Sequence, residues 1–204
     1  MIRVKICGVT TVEDAVLAAE LGASAIGLVF WPGSPRCVEV SQAKDIVAAL
    51  PPLVTAVGVF VDQAEHAAHV AREAGLGAVQ FHGDEPPASY RSFPVRVIKA
   101  IAVRDGSAEE AAAAVPAAAT VLLDAHDPVR HGGTGTPIDW SIAAKIARRR
   151  PVILSGGLTA GNAAEAVAAV APYAIDVSSG VERVFGRKDP EKLRALFAVL
   201  RSVG

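Results

Sequence analysis

Cysteine is scarce in this chain. Cys7 and Cys37 are the only two in 204 residues, and thirty positions separate them. There is no CxxC pair and no Cys/His cluster at zinc-ligand spacing, so neither a disulfide scaffold nor a structural metal site is expected. Charge of one sign is also lacking. Lys and Arg number 20 against 21 Asp and Glu, which leaves a net charge of −1. Without a basic excess, no nucleic acid or membrane surface is expected as a partner. Any anionic substrate must then be captured by local groups. No apolar run approaches the length of a membrane-spanning helix. Residues 1–6 alternate like a strand instead of forming a secretory leader, so a cytoplasmic protein is expected. The nucleotide signatures GxGxxG and GxxxxGK[ST] are both missing.

What is present is a repeated grammar. Residues 2–7 alternate apolar and polar and end at Cys7-Gly8. Thr10 and Glu13 have capping-box spacing. Val12, Ala15, Val16 and Ala19 follow at helical spacing, and Gly22 ends the helix. A strand at 25–30 comes next, then a helix opened by Ser41. Further strands are expected at 54–61, 78–81, 95–100, 120–124, 151–155 and 174–178. Asp62 and Glu65 suggest a second capping box. Asp189-Pro190 opens the last helix, whose apolar stripe is Leu193, Leu196, Phe197 and Leu200. Eight strands alternating with eight helical segments, several strands apolar on both faces, predict a single α/β domain over 1–204, a (βα)8 TIM barrel. An open doubly wound sheet is the alternative.

Active sites of such barrels lie at the C-terminal ends of the strands. There the sequence places Cys7-Gly8, Arg36, Asp62, His82-Gly83-Asp84-Glu85, Lys99, Asp124, Ser155-Gly156-Gly157 and Ser178-Ser179-Gly180. The last two segments follow strands seven and eight. Their glycines allow backbone N–H groups to approach a phosphate, so Gly156, Gly157, Ser178, Ser179 and Gly180 are the candidate phosphate ligands. Tight turns that merely need glycine are the plain reading of the same residues. Cys7 is either inert packing or a base, and Lys5, two residues earlier on the same strand face, is either a source of positive potential or a solvated or barrel-bottom lysine. Asp124 has no helix directly after it, which weakens a capping role and favours a site acid. Arg36 sits on a loop stiffened by Pro32 and Pro35 and suits a carboxylate or phosphate. His82 is read as a site group or a polar packing residue, and Asp176 and His82 join Arg36 as candidate substrate contacts. The glycine-rich stretch 131–135 is expected to lie over the mouth. Neither metal nor cofactor is expected.

Several segments together resemble the phosphoribosylanthranilate isomerase family of tryptophan biosynthesis. They are Lys5-Ile6-Cys7-Gly8, Gly27-Leu28-Val29-Phe30 with Ser34-Pro35-Arg36, Gly58-Val59-Phe60-Val61 and Gln80-Phe81-His82-Gly83. Leu123-Asp124, Gly132-Gly133-Thr134-Gly135 with Asp139-Trp140, Leu154-Ser155-Gly156-Gly157-Leu158 and Asp176-Val177-Ser178-Ser179-Gly180-Val181-Glu182 complete the set. The resemblance implies an Amadori rearrangement of N-(5-phosphoribosyl)anthranilate. Cys7 would be the general base, Asp124 the general acid, and Arg36 the partner of the anthranilate carboxylate. A small phosphoribosyl compound is then the partner, and a monomer or homodimer is expected. Two positions depart from the family pattern: Ala125, often Thr there, and Phe185, often Pro. The acid and base must be protonated and deprotonated together, so their environments are expected to push the two pKa values towards or past each other. Two rivals stay open. One is the related histidine-pathway Amadori isomerase, which the resemblance gives an aspartate at the position of Cys7; the other is a non-catalytic phosphoribosyl-binding protein. The acidic residues after strands three and four, Asp62, Asp84 and Glu85, count against the two-phosphate substrate of the first rival.

Overall fold

A computed structural model describes residues 2–87, 90, 93–125 and 138–203. Eight parallel strands close into a barrel in sequence order. They are β1 (Arg3–Cys7), β2 (Ala25–Val29), β3 (Thr55–Phe60), β4 (Ala78–Phe81), β5 (Arg96–Val103), β6 (Ala119–Ala125), β7 (Val152–Leu154) and β8 (Ala174–Val177). Closure decides between the barrel and the open sheet, because β1 pairs with β8 as well as with β2.

The helices among the described residues number seven, not eight: α1 (Val12–Leu21), α2 (Val40–Ala49), α3 (Ala64–Ala74), α4 (Ser107–Ala114), α5 (Trp140–Ala147), α6 (Ala163–Val170) and α7 (Pro190–Arg201). No α-helix is found in the described part of the β4–β5 connection. Its Pro86-Pro87 pair lacks two backbone donors and suits a helix interior poorly. After β8 the chain makes a 3-10 turn (Ser179–Val181) and a small antiparallel hairpin, β9 (Glu182–Val184) with β10 (Arg187–Lys188), before α7.

Alternation along each strand sends one residue into the barrel and the next towards the helices. Val57, Ala78, Ile98, Ala100, Leu122, Ile153 and Ala174 form the inner core, large against small. Ile6, Ile26, Leu28, Phe60, Phe81, Leu123 and Ile175 face the helices. The stripe of α7, Leu193, Leu196, Phe197 and Leu200, is buried as its spacing predicts. Each such side chain contributes about 1.5–3 kcal/mol. Asp189 caps α7 by accepting from the N–H groups of Glu191 and Lys192, and Pro190 follows at its first turn.

Both predicted capping boxes are replaced. The cap of α1 is Thr11, which accepts from the Asp14 N–H, because the Thr10 hydroxyl donates to Gly186 O on the hairpin. The cap of α3 is Gln63, with no side-chain bond. Asp62 instead accepts from the Asp84 N–H at 2.6 Å, tying the β3 exit to the β4 exit. In both cases a long-range acceptor or donor outcompetes the local one.

Candidate active site

The upper end of the barrel gathers buried charge. Lys5, Arg36, Asp124, Asp176, Glu182 and Lys188 are all buried, and they lie around one pocket or directly behind its wall. That pocket is lined by Cys7, Arg36, Gln80, His82, Asp124 and Asp176, with Ser155, Gly156, Gly157, Ser178, Ser179 and Gly180 on one side and Trp31, Val29 and Val59 on the other. The candidate catalytic, substrate and phosphate residues therefore line one pocket, while Asp62, Asp84, Glu85 and Lys99 do not. The 131–135 segment lies outside the described residues.

Cys7 ends β1 on the inward face and packs against Val29 and Val59. Burial pushes its thiol up, and Lys5 opposes that shift without cancelling it. This departs from the expectation of a thiol brought down towards the acid. Lys5 donates to Asp176 Oδ1 at 2.9 Å, across the β1–β8 register. Burial works to lower the Lys5 ammonium, but the Asp176 carboxylate and the Cys7 sulfur outweigh it and hold it above the ordinary lysine range.

Asp124 stands across the mouth on β6, three strands from β1 round the closed sheet. Its Oδ1 accepts from the Ala125 N–H at 2.8 Å, a backbone contact that does not depend on the side chain at 125. Its Oδ2 lies 3.4 Å from His82 Nε2. Gln80 Nε2 in turn lies 3.3 Å from His82 Nδ1, while the buried Gln80 Oε1 has no hydrogen-bond partner among the described residues. This chain can serve either state of Asp124. With its proton on Nε2 the ring donates to a carboxylate. With the proton on Nδ1, Nε2 accepts from the acid, and a rotated Gln80 amide offers Oε1 to Nδ1.

Arg36 is held from behind. Its Nε and Nη2 each donate to Glu182 at 2.8 Å, a bidentate pair. The exposed Phe185 ring stacks 5.1 Å from the guanidinium carbon. Glu182 also accepts from Lys188 at 3.0 Å. Burial works to raise the Glu182 carboxyl, but Arg36 and Lys188 outweigh it and hold it below the usual range. Lys188 donates further to Cys7 O at 2.6 Å and to Ser178 O at 3.2 Å, so three acceptors match its three N–H groups. Gly8, at φ 70°, lies under Arg36: a Cβ there would sit 2.4 Å from Arg36 Cδ. The site thus requires glycine at 8 for backbone conformation and for space. Glu182 and Lys188 escape sequence reading, because a charged pair in a short hairpin looks like solvated surface.

The two glycine loops meet at the pocket's far side. Gly156 and Gly157 have φ of 89° and 64°, and no acceptor for their N–H groups is found among the described residues. A Cβ on Gly180 would lie 1.9 Å from Leu158 O, so the loops touch backbone to backbone. Asn162 braces the first loop by donating to Gly157 O and accepting from the Thr159 N–H. Free N–H groups at close-packed glycines form a concavity suited to an anion.

On the opposite rim, Glu85 is buried and turned inward. It accepts from the Asp62 N–H at 2.8 Å and pairs with Lys99 at 3.3 Å. Lys99 is not at a strand end, as read from sequence: β5 runs on to Val103, and Lys99 sits between the inward Ile98 and Ala100, facing outwards. It binds the β4–β5 connection through Gly83 O. Of the three carboxylates expected to repel a second phosphate, Glu85 is thus already compensated.

Among the described residues no group of three His, Cys, Asp or Glu is placed to hold a metal, and no helix is long and apolar enough to cross a membrane.

Residues 4–199 match the model of the family described as N-(5′-phosphoribosyl)anthranilate (PRA) isomerase. The N-(5′-phosphoribosyl)anthranilate isomerase of Azotobacter vinelandii is 50% identical over 205 residues, covering 98% of each chain. The phosphoribosyl anthranilate isomerase of Thermus thermophilus superposes with a TM-score of 0.90 at 44% identity, over 99% of this chain and 100% of that one. A second structure, of a phosphoribosyl anthranilate isomerase in complex with reduced 1-(o-carboxyphenylamino)-1-deoxyribulose 5-phosphate, gives a TM-score of 0.88 at 38% identity, over 99% and 100% of the chains.

Proposed function

The chain belongs to the N-(5′-phosphoribosyl)anthranilate isomerase family, and we propose that Cys7 is the general base and Asp124 the general acid of its reaction. The reaction is the Amadori rearrangement of N-(5′-phosphoribosyl)anthranilate to 1-(2-carboxyphenylamino)-1-deoxyribulose 5-phosphate, in tryptophan biosynthesis. The observation that carries the assignment is the placement of Cys7 and Asp124 in one pocket, between the glycine loops and Arg36.

The phosphate rests on Gly156, Gly157, Ser178, Ser179 and Gly180, which line one side of the pocket and offer backbone N–H groups and hydroxyls as donors. Arg36 takes the anthranilate carboxylate with the N–H groups that Glu182 leaves free. The ribose then spans the mouth between β1 and β6, above Asp176 and beside His82. Asp124 protonates the furanose ring oxygen, the bond from that oxygen to C1′ breaks, and the nitrogen lone pair forms an iminium. Cys7 thiolate removes the C2′ proton. The C2′–H electron pair becomes the C1′–C2′ double bond, and the nitrogen recovers its lone pair. The enolamine then tautomerises to the ketone. Bond-making and bond-breaking balance with no net gain or loss of protons. The iminium is itself a cation beside Cys7. It joins Lys5 in favouring the thiolate at the step that needs it, against the upward push of burial. The direct test is turnover of freshly prepared phosphoribosylanthranilate, followed by loss of anthranilate fluorescence. A folded protein that leaves the fluorescence unchanged overturns the reading.

Arg36→Met is expected to raise KM by about tenfold or more with a smaller effect on kcat. A charged hydrogen bond to a carboxylate present in both ground and transition states is worth about 1.5–3 kcal/mol. Initial-rate kinetics decide the matter, and an unchanged KM removes Arg36 from the binding site.

Glu182→Gln is expected to raise KM by a smaller factor and to lower the unfolding free energy by about 3–5 kcal/mol. That is the usual cost of leaving buried charges, here Lys188 and Arg36, without their counter-ion. Denaturant unfolding reads the second effect, and a stability within about 0.5 kcal/mol of the parent contradicts it.

A further inference from the structure

We propose that Lys5, anchored by Asp176, is the positioning residue that sets how readily Cys7 ionises, and that Gly27 is the gap through which its ammonium reaches the sulfur. The inference rests on the reading of Cys7 as the base.

The register of the closed barrel supplies the geometry. Lys5 pairs with Asp176 across β1–β8, and Cys7 pairs with Gly27 across β1–β2. Lys5 and Cys7 point the same way, two residues apart on one strand. A Cβ on Gly27 would lie 2.7 Å from Cys7 Sγ and 3.1 Å from Lys5 Nζ. Sulfur and ammonium therefore flank the space that any other residue would fill. The backbone of Gly27 lies outside the left-handed region. Space, and not conformation, is what excludes a side chain there. The Lys5 ammonium hydrogen-bonds Asp176 at 2.9 Å and stands across this gap from the Cys7 sulfur.

The other charges near the sulfur are committed elsewhere. Lys188 reaches the Cys7 carbonyl from the hairpin side and shares Glu182 with Arg36. Asp124 and His82 pair with each other at 3.4 Å on the far side of the mouth. From β2 the neighbour is Gly27, which carries no charge. Lys5 is the cation with the larger effect on Sγ, Lys188 adds a smaller one of the same sign, and Asp176 is the opposing anion. Lys5 favours the thiolate and Asp176 disfavours it. The pair acts on Cys7 with two opposite signs, and this gives a test that a merely structural role does not meet.

The test uses the full chain in a Cys37→Ser background, so that one thiol remains, and follows the ultraviolet absorbance of the thiolate against pH. Lys5→Met is expected to move the titration midpoint up by about one unit or more, or about tenfold less thiolate at a given pH below the midpoint. Asp176→Asn is expected to move it down, with several-fold more thiolate. Gly27→Ala, which drives Nζ and Sγ apart, is expected to move it up. Should Lys5→Met not fold, Asp176→Asn and Gly27→Ala still give opposite signs. An unmoved midpoint in Asp176→Asn, or shifts of the same sign in the two folded variants, overturns the proposal. The readout does not use catalysis. The base assignment fails separately, if Cys7→Ser retains kcat while these midpoints shift as expected.

Discussion

Replacing Cys7 with serine is expected to lower kcat by at least about a hundredfold, the lower range for loss of a general base. Serine keeps the size and inward position of the side chain, so packing against Val29 and Val59 is little disturbed. What it loses is ionisation. Burial already pushes the thiol up, and only a group as acidic as a thiol remains within reach of Lys5 and the substrate cation. A serine hydroxyl is too weak an acid to form an alkoxide under the same influence. The glycine loops and Arg36 are untouched, so KM is expected to stay near its parent value. Steady-state kinetics on a variant with the parent circular dichroism and unfolding midpoint make the measurement. Near-parent kcat in that protein sinks the assignment of the base.

Asp124→Asn is expected to reduce kcat by a similar or larger factor while substrate affinity stays largely intact. The amide retains the shape, and its oxygen still accepts from the Ala125 N–H. Its NH2 group can face His82 Nε2 where the carboxyl stood. It has no carboxylic proton to give, so the furanose oxygen leaves without protonation, and ring opening becomes the slow step. Single-turnover kinetics separate the two effects. A variant that keeps kcat and loses affinity makes Asp124 a binding group and places the acid elsewhere.

Both proposed groups stand out in the sequence for local reasons, and their roles as base and acid come from the family resemblance. Cys7 precedes a glycine at the end of an alternating strand. Asp124 ends an apolar strand with no helix directly after it. The five phosphate candidates stood out because their loops followed strands seven and eight. Barrel order was readable from the recurring switch between strand and helix patterns. Local signals failed where a distant partner competed. Thr10 was read as a cap and serves Gly186 instead. Asp62 was read as a cap and holds Asp84. Lys99 was read as a rim residue and faces outwards, because β5 runs three residues further than its pattern suggests.

By itself, then, the sequence determined the eight-strand barrel, and it pointed to the end at which chemistry gathers and to the groups proposed to carry it. Each of these depends on periodicity or on residues a few positions apart, which a chain displays without folding. Only the tertiary structure decided which charges meet. Lys5 and Asp176 are 171 residues apart, and barrel closure alone places them side by side. Arg36 and Glu182, separated by 146, meet because the hairpin after β8 packs behind Arg36. Lys188, on that hairpin, reads as a surface lysine and is almost wholly buried. Coulomb interactions depend on distance through space, and distance through space between remote residues is set by register and closure.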